Sequence, residues 1–389
     1  MVDWLGTYAH RVKVTASNTN VDSDQTHFPL LLTLGTSVGT GSNDVSFVFD
    51  ELTSDANRTK IAVTKTDGTT ELYVEIEKWD DANESAVLWV SKSDWVLDAD
   101  ASTELYLYYD SAHAANTARV GDTNAEVAEN VWDSNYIMVQ HMADGASTSA
   151  TYDSTSNDND GTKTGAAEPA VTTSGEIGNA QTFDGSNDEI DVGDNPFDLT
   201  DMTLQGWAKT SVSDRQTVFG KGANNQYQHG LHTWDDVSNI TTWTSGGDTY
   251  QRADGTVTVT DNAYHLIHGT VSGTTIKVFT DGGDENSSTD TSGTRYTSGT
   301  AHALMGNRDD NAVDFAGIID EVRISNIKRG AAYVKACFYT QTDALVSWGS
   351  EEEKPVTTNI KSVNGLLKAS IKSINGLAIA DIKSINGLS

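Results

Sequence analysis

The chain has one cysteine, four prolines and no long apolar run, and these scarcities exclude several classes of protein. Cys337 has no second cysteine to pair with, so a disulfide framework within one chain is excluded. The sequence has no stretch of roughly 18 consecutive apolar residues, which is the length that a membrane-spanning helix needs. Residues 1–6 show neither the basic nor the apolar segment of a secretory signal, so we expect none there.

Basic residues are also scarce. The chain has 25 Lys and Arg against 56 Asp and Glu, which gives a net charge of −31 at pH 7 and a pI near 4.4. Proteins hold nucleic acids through clustered Lys and Arg, and the sequence has no such cluster, so we exclude a nucleic-acid partner. We interpret the acidity as a solvated surface, which suits a salty medium because salt screens charge repulsion beyond about 10 Å.

Turn-forming residues and short apolar runs make up most of the chain. Ser, Thr, Asn, Asp and Gly separate short β-branched and aromatic segments, which is typical of all-β sandwiches. Apolar residues account for 37% of the sequence, enough for packed cores. At about 150 residues per domain, the length predicts two to three domains. We therefore predict an all-β protein with two tandem β-sandwiches and a short C-terminal tail of β-repeats.

The first sandwich is predicted over residues 1–120. An Asp67-Gly68 pair predicts a hairpin turn, and period two directs Leu105 and Leu107 to one face of their strand and Tyr106 and Tyr108 to the other. Candidate strands, separated by Gly, Asn or Asp, are 11–15, 30–34, 45–49, 61–64, 72–76, 87–90 and 104–109.

This segment resembles a domain of unknown function that often precedes concanavalin-like modules in phage and microbial surface proteins. The resemblance brings no biochemical activity with it. It is carried by Tyr8 to Val14, His27-Phe28-Pro29-Leu30, Asp44-Val45-Ser46-Phe47, Glu75-Ile76-Glu77, Trp89-Val90 and Leu105 to Tyr109.

The second module is predicted over residues 130–350, closely docked on the first through the polar linker 121–131. Strands are predicted at 137–140 and at Met202–Lys209, a hairpin at 264–271 and 275–280, and a closing strand at 345–348. Apolar residues at helical spacing predict a short amphipathic helix over 328–338, in which Cys337 packs as a small apolar residue.

Two motifs of this module carry a family resemblance. Phe183-Asp184-Gly185 and the stretch Phe315-Ala316-Gly317-Ile318-Ile319-Asp320-Glu321-Val322-Arg323-Ile324-Ser325-Asn326 are similar to the laminin-G-like branch of the concanavalin A-like jelly rolls. The resemblance runs in order from Trp132 to Glu351. It implies a concanavalin A-like jelly roll with a binding or a structural role, so we expect no enzyme activity.

The tail consists of three similar units. A linker, 351–359, precedes residues 360–389, in which an Ile-Lys-Ser-Ile/Val-Asn-Gly-Leu motif recurs every 11 residues. A period of 11 can indicate a right-handed helical supercoil, but the repeated Asn-Gly pair favours turns. We predict short strand–turn–strand units that bury their apolar side chains by stacking or by pairing with other chains. The side chains expected to mediate assembly or anchoring are Ile360, Ile371, Ile374, Leu377, Ile382, Ile385 and Leu388.

The repeats resemble those of tailed-phage structural proteins. Fibrous viral proteins often pack three chains around one axis, so the resemblance implies a homotrimer attached to other virion proteins.

A calcium site is predicted from an oxygen-rich loop, residues 153–161. Calcium takes carboxylate, amide and carbonyl oxygens of the kind this loop offers. In calcium-bearing relatives, an Asp of this loop and an Asp of the late Ile-Asp-Glu-Val strand lie close together, and Asp153 and Asp320 are the matching positions. The alternative interpretation is a polar turn beside a capped strand.

A carbohydrate site is predicted in residues 213–260, the segment that is least similar to the family. Trp234, Trp243 and Tyr250 could stack on a sugar, with hydrogen bonds from neighbouring Asn224, Asn225 and Asp235. The alternative is that these aromatic residues belong to the sandwich core.

A glycan-hydrolase site is a weaker hypothesis. Glu189-Ile190-Asp191-Val192-Gly193-Asp194 approximates the Glu-x-Asp-x-x-Glu strand of concanavalin-like glycoside hydrolases, but its last carboxylate is one methylene shorter. The interpretation rests on analogy of fold, and we expect an acidic surface strand instead.

Together these observations predict a structural virion appendage of a tailed virus, such as a head fibre, a decoration protein or a tail protein, displayed on the virion surface. Its partners would be copies of itself, other virion proteins and host-surface glycans. The alternative is an exported microbial adhesin or surface-layer protein in an extracellular or cell-surface location.

Overall fold

The computed structural model describes residues 3–145, 147–163, 168–194, 196–222, 228–243, 250–289, 300–308 and 313–355, and four residue pairs of the tail. The chain is 47% strand and 8% helix, which confirms the all-β prediction. Within the described ranges, the helices are too short and too polar to cross a membrane.

The N-terminal part contains nine strands, one short α-helix, α1 (Phe47–Leu52), and three 3₁₀ turns. The turns are Asp55–Asn57, Asp81–Asn83 and Ala128–Val131. The strands are β1 (His10–Ala16), β2 (Gln25–Thr26), β3 (Leu30–Leu34), β4 (Ile61–Lys65), β5 (Tyr73–Asp80), β6 (Ser85–Ser91), β7 (Val96–Leu97), β8 (Thr103–Tyr109) and β9 (Val120–Asp122).

The rest of the chain contains the second module, its helix α2 (Ala331–Gln341) and the tail. The strands of the module are β10 (Tyr136–Asp144), β11 (Ala150–Asp153), β12 (Gly161–Thr162), β13 (Ala170–Thr172), β14 (Ala180–Asp184), β15 (Ile190–Asp191), β16 (Met202–Lys209), β17 (Gln216–Lys221), β18 (His229–Trp234), β19 (Val237–Trp243), β20 (Tyr250–Thr258), β21 (His265–Ser272), β22 (Thr275–Thr280), β23 (Gly283–Thr289), β24 (Ala303–Met305) and β25 (Ala316–Ser325). Strand β26 (Val346–Glu353) follows helix α2. The described strands of the tail are β27 (Ser362–Val363), β28 (Leu366–Leu367), β29 (Ser373–Ile374) and β30 (Leu377–Ala378).

The first sandwich has two four-stranded sheets, in the orders β26-β1-β8-β4 and β3-β6-β5-β9. Its strands alternate as predicted: Leu105 and Leu107 lie in the main core, whereas Tyr106 and Tyr108 lie in a separate cluster. The second module is one large, mostly antiparallel sheet that runs from β20 through β17, β10, β25 and β16 to β23.

The place of the last strand differs from the prediction. Residues 345–348 were expected to close the second module, but β26 pairs antiparallel with β1 and joins the first sandwich. The reason is burial, because Val346 and Trp348 enter the apolar core of that sandwich. One sheet of the N-terminal sandwich therefore includes an edge strand that follows the second module in the chain.

Residues 45–49 were predicted to be a strand, and this prediction was wrong, because they lead into helix α1. The buried side chains Val45, Val48, Phe49 and Leu52 follow the i, i+3, i+4, i+7 pattern of one helix face. The spacing of these apolar residues, with a period of 3.6, indicates a helix.

The predicted turn at Asp67-Gly68 is present. Gly68 has φ 77°, which favours glycine, and the Asp67 carboxylate accepts hydrogen bonds from the Thr69 and Thr70 amides. The paired part of the hairpin is short, however, because β4 continues into the sheet of β8 and β5 into the sheet of β6.

Helix α2 joins the two modules. It lies three residues later than predicted, and its buried Tyr333 and Cys337 belong to the same apolar core as Trp132 and the first sandwich. At its C-terminal end, the side-chain oxygen of Gln341 accepts a hydrogen bond of 2.8 Å from the Trp207 indole of the second module. The modules are closely docked around this shared core.

Two of the three repeats contain a pair of short antiparallel strands, which are the strand parts of the predicted units. Strands β27 and β28 pair antiparallel, as do β29 and β30, in which Ile374 lies opposite Leu377. The other five residues predicted for assembly or anchoring lie outside the described part of the chain, namely Ile360, Ile371, Ile382, Ile385 and Leu388.

Candidate functional site

The structure brings together the three aromatic residues that were predicted to bind carbohydrate. Strands β18, β19 and β20 are consecutive antiparallel neighbours, and Trp243 lies directly opposite Tyr250. The ring centroids are 5.7 Å apart for Trp243 and Tyr250, and 6.3 Å apart for Trp234 and Tyr250. Both spacings are typical of packed aromatic pairs. We call these residues, with Arg215 and Arg252, the aromatic patch.

The three rings differ in exposure. Trp243 is only 6% exposed. Trp234 is half-buried, and Tyr250 is 45% exposed, which makes it one of few large apolar side chains at the described surface. The patch thus consists of a buried ring that supports an exposed one.

Two arginines border the patch in a chain that is otherwise poor in positive charge. The guanidinium of Arg252 lies 4.2 Å from the centroid of the Trp234 ring, and that of Arg215 lies 4.7 Å from the same centroid. Arg252 is also held by Asp254 at 2.6 Å and by Asp235 at 3.5 Å. These contacts fix the orientation of the guanidinium groups beside the rings.

A buried histidine supports the patch from below. Nε2 of His232 lies 2.9 Å from the Thr241 hydroxyl and 3.2 Å from Arg215. Burial, and then the charge of Arg215, hold the pKa of His232 well below its ordinary value, so the imidazole is neutral. The patch can therefore offer an aromatic face, arginine donors and carboxylate acceptors to one ligand. Asn224 and Asn225 fall outside the described ranges.

A second constellation lies where the two modules meet, and the sequence analysis did not identify it. Five charged side chains form this charged cluster: Glu75 and Glu77 from β5, His141 from β10, and Glu321 and Arg323 from β25. All five side chains are at most 2% exposed.

Histidine 141 is the centre of the charged cluster. Its Nδ1 lies 2.5 Å from a carboxylate oxygen of Glu321 and 3.4 Å from one of Glu77. Its Nε2 lies 3.3 Å from a carboxylate oxygen of Glu75. Arg323 binds Glu321 through Nε at 3.0 Å and through Nη2.

Tryptophan side chains enclose the charged cluster. The Arg323 guanidinium lies 4.1 Å from the Trp89 ring centroid and 4.7 Å from the Trp132 centroid. The Trp132 indole donates to Glu75 at 2.6 Å, and the Trp89 indole donates to Glu77 at 2.8 Å. The indoles thus hold the two carboxylates of β5 in fixed positions.

The charges of the cluster shift one another's pKa values. Burial alone would lower the pKa of His141, but Glu321 and Glu77 outweigh it and raise that pKa well above its ordinary value. Burial would raise the pKa of Glu321, but His141 and Arg323 lower it. Burial raises the pKa of Glu77 to about 8, and it raises that of neighbouring Asp320 well above its ordinary range.

A β-bulge places Glu321 in the charged cluster. Gln205 pairs with Arg323, and Trp207 pairs with Asp320, so two residues of β25 face Gly206. Glu321 has φ 51°, which is unfavourable for a non-glycine residue. Bulges redirect side chains in this way, and strain of this kind is frequent at functional sites.

A cleft of 390 Å³ gives access to the charged cluster. Glu77 and His141 are part of its lining, together with Trp79 and Tyr152. Sequence signals for the cluster existed, because Glu75 and Glu77 share one face of a strand whose other face carries Val74 and Ile76, and His141 comes shortly after the apolar run at the start of β10.

The two residues predicted to bind calcium have separate surroundings. The Asp153 carboxylate accepts hydrogen bonds from the amides of Val139, Thr155 and Asn159 and from the Thr155 hydroxyl, all within 3.0 Å. Asp320 accepts a hydrogen bond of 2.9 Å from the Ile177 amide. Asp153 therefore organises its own loop, while Asp320 borders the charged cluster.

Calcium binding by Asp153 and Asp320 stays a prediction. If these residues hold the ion, a calcium-selective chelator will lower the melting temperature, because ligand loss destabilises the folded state. The Asp320→Ala variant will then show no response to the chelator. An unchanged melting curve of the wild-type protein would leave Asp153 as the centre of a polar turn.

Two carboxylates of the acidic segment considered for hydrolysis have hydrogen-bond partners within the chain. A carboxylate oxygen of Asp191 lies 2.7 Å from Nδ1 of exposed His302, and the other accepts from the Gly193 amide at 2.7 Å. Glu189 accepts a hydrogen bond from buried Asn307. Only Ile190–Asp191 of the segment is strand, and the expectation for its function stays a prediction.

Comparisons with known proteins identify the second module. Residues 184–335 match the laminin-G-type profile described as the concanavalin A-like lectin/glucanases superfamily. This confirms the predicted resemblance for that segment, while the resemblances of the N-terminal sandwich and the tail repeats stay predictions. A search of curated proteins gave no match.

Several solved structures share part of the architecture, each with a TM-score of 0.42. The binding domain of Paraclostridial Mosquitocidal Protein 1 is 14% identical over 53% of this chain and 52% of its own. The botulinum neurotoxin serotype G binding domain is 13% identical over 53% of this chain and 51% of its own length. Domain 4 of AbnA, a GH43 extracellular arabinanase from Geobacillus stearothermophilus in complex with arabinotriose, is 21% identical over 52% and 97%.

The matched region thus covers about half the length of the toxin domains. The family match rests on the profile alone: residues 184–335 of this chain form a concanavalin A-like module of the laminin-G type.

Proposed function

We propose that this chain is a non-catalytic display protein whose concanavalin A-like module binds carbohydrate at the aromatic patch. The observation that carries the proposal is the convergence of Trp234, Trp243 and Tyr250 on one face, with an exposed ring and two bordering arginines. An aromatic ring stacks on the apolar face of a sugar, while arginine and carboxylate groups bond its hydroxyls.

The ligand class follows from charge. A chain with a net charge of −31 repels polyanions over its whole surface. Arg252 is paired with Asp235 and Asp254, so its charge is already compensated within the patch. We therefore propose a neutral oligosaccharide or polysaccharide as the ligand.

The same proposal covers assembly and location. The tail hairpins β27–β28 and β29–β30 pair strands of only two residues each, which is too little sheet to be stable alone. Together with the resemblance to tailed-phage repeats, this supports a homotrimeric virion appendage that binds glycans of the host surface. An exported adhesin has the same binding chemistry, and electron microscopy of the native particle or cell distinguishes the two.

Removing the exposed ring tests the proposed site. Full-length protein is applied to an array of neutral polysaccharides, and the affinity for the strongest ligand is then measured for the Tyr250→Ala variant. We expect affinity to fall about tenfold or more, since the loss of a central aromatic contact typically costs roughly 2 kcal/mol. The melting temperature should not change, because Tyr250 is 45% exposed.

A matched control is Val96→Ala, since Val96 is 36% exposed and lies in the first sandwich. It should bind as the wild-type protein does. If wild-type protein binds no neutral glycan, or if Tyr250→Ala binds with unchanged affinity, the aromatic patch is not a carbohydrate site.

A further inference from the structure

We infer that Glu77, His141 and Glu321 form a binding site for a divalent transition-metal ion, for which Zn²⁺ is the best fit. The site lies between the two modules, away from the aromatic patch. It is also distinct from the calcium prediction, which concerns Asp153 and Asp320.

The ligand atoms are already grouped. One imidazole nitrogen and one oxygen of each carboxylate lie within 4.8 Å of one another. Zinc binds such atoms at about 2.0–2.2 Å, so two ligands of a tetrahedral ion are roughly 3.4 Å apart. Nδ1 of His141 lies 3.4 Å from Oε2 of Glu77, which also accepts the Trp89 indole hydrogen bond, and 2.5 Å from Oε1 of Glu321. A shift of about 1 Å by the Glu321 side chain completes this spacing.

Buried atoms without partners point to a ligand. Among the described residues, Oε1 of Glu77 has no hydrogen-bond partner, although its side chain is only 2% exposed. Oδ1 of Asp320, at the border of the cluster, has none either. Proteins rarely leave such atoms unsatisfied, because desolvation without a partner is costly. A cation in the cluster supplies the missing interaction for a carboxylate.

A carboxylate lies on the far side of the imidazole. A metal-bound histidine usually donates its second ring N–H to a carboxylate, which fixes the ring. Nε2 of His141 lies 3.3 Å from an oxygen of Glu75 without a hydrogen bond of good geometry, so a small rotation of the ring would complete this contact. Glu75 is itself held by the Trp132 indole at 2.6 Å and by the Ser154 hydroxyl at 2.6 Å. We assign Glu75 the role of a positioning residue.

The balance of formal charges fits a divalent ion. Three carboxylates, those of Glu75, Glu77 and Glu321, face one permanent cation, Arg323. With His141 neutral and all three carboxylates ionised, which is the state that a metal ligand set requires, the excess of two negative charges equals the charge of one Zn²⁺. The rival arrangement is a network compensated by protein groups and protons alone.

The chemistry of the donors selects among metals. A nitrogen ligand with two carboxylates suits zinc and its transition-metal neighbours, whereas calcium prefers six to eight oxygens. The 390 Å³ cleft reaches Glu77 and His141, so an ion and a water molecule have a route to the site.

Zinc retention by the full-length protein tests the inference. Protein stripped with a strong chelator is given excess Zn²⁺, separated from free metal by gel filtration, and analysed by inductively coupled plasma mass spectrometry. We expect one zinc per chain, retention that excess Ca²⁺ does not prevent, and a higher melting temperature. Co²⁺ in place of Zn²⁺ should give the visible absorption bands of a tetrahedral site.

Two variants and a control locate the ion. His141→Gln and Glu77→Gln should each reduce zinc affinity at least tenfold, and Glu77→Gln keeps the side-chain shape if His141→Gln fails to fold. The control is His10→Gln, because His10 also lies near two glutamates, Glu51 at 3.6 Å and Glu351 at 3.0 Å, but at the surface. It should retain zinc fully.

Less than a stoichiometric amount of zinc on the wild-type protein overturns the inference, as does full retention by Glu77→Gln. In either case the charged cluster is a network of protein groups that joins the modules. Loss of zinc from His10→Gln would place the ion at the surface, which also contradicts the proposed site.

Discussion

Replacing Arg323 with leucine is expected to lower the free energy of unfolding by about 3–5 kcal/mol, which is the usual cost of removing one partner of a buried ion pair. Arg323 is 1% exposed, binds Glu321 through two nitrogens, and contacts both the Trp89 and the Trp132 rings. Without it, the carboxylates of the charged cluster lose their one permanent countercharge. Denaturant unfolding followed by tryptophan fluorescence measures the change.

The matched control is a pair at the surface. Lys13 and Glu104 are 3.0 Å apart, and their side chains are 39% and 40% exposed. Exposed pairs contribute about 0–1 kcal/mol, so Lys13→Leu should leave stability nearly unchanged. Equal effects of Arg323→Leu and Lys13→Leu would show that the charged cluster does not stabilise the docked modules.

Deleting residues 356–389 is expected to convert a homotrimer into a monomer. Full-length protein should scatter light as three copies of a 41.7 kDa chain, because apolar side chains of the short repeat hairpins need other chains to cover them. The truncated protein should stay folded, since both sandwiches and their shared core end before residue 356.

A point variant separates the apolar contacts from chain length. In full-length protein, Ile374→Asp with Leu377→Asp places charges on a facing pair of one hairpin, and should weaken the trimer. If the truncated protein keeps the mass of the full-length protein, assembly lies in the sandwiches and our account of the tail is wrong. If both forms are monomers, the tail is an anchor that folds on its partner.

Local patterns predicted much of the fold. Strands β3, β16 and β22 have the predicted bounds, and the opposite faces of β8 follow the alternation of leucine and tyrosine. Period two is a property of neighbouring residues, so the sequence displays it directly. Helix α1 was missed because the apolar residues at 45–49 were assigned the period of a strand.

Long-range pairing could not be predicted in the same way. The strand Val346–Glu353 is consistent with the edge of either module, and the pairing with β1 depends on how the two modules dock. Sequence spacing does not encode which of two available sheets a strand joins. The shared core around Trp132 and α2 decides it.

The two candidate sites differ in how well the sequence predicts them, and the reason is again the sequence separation of their residues. The aromatic patch lies on three consecutive strands, so its members are close in sequence as well as in space. The charged cluster combines residues from three distant segments, and a β-bulge at Glu321 completes it. A charged residue among apolar neighbours in a strand suggests that its charge is buried. Its partners can be identified only in the folded structure.

The most direct measurement of the central claim is nuclear magnetic resonance of the tryptophan indole groups during titration with the strongest glycan from the array. The chain has nine tryptophans, and Trp→Phe substitutions assign their signals. Binding at the aromatic patch should shift the indole signals of Trp234 and Trp243 and leave those of Trp89, Trp132 and Trp207 in place. Saturable binding that shifts other tryptophans, while Trp234 and Trp243 do not respond, would contradict our account.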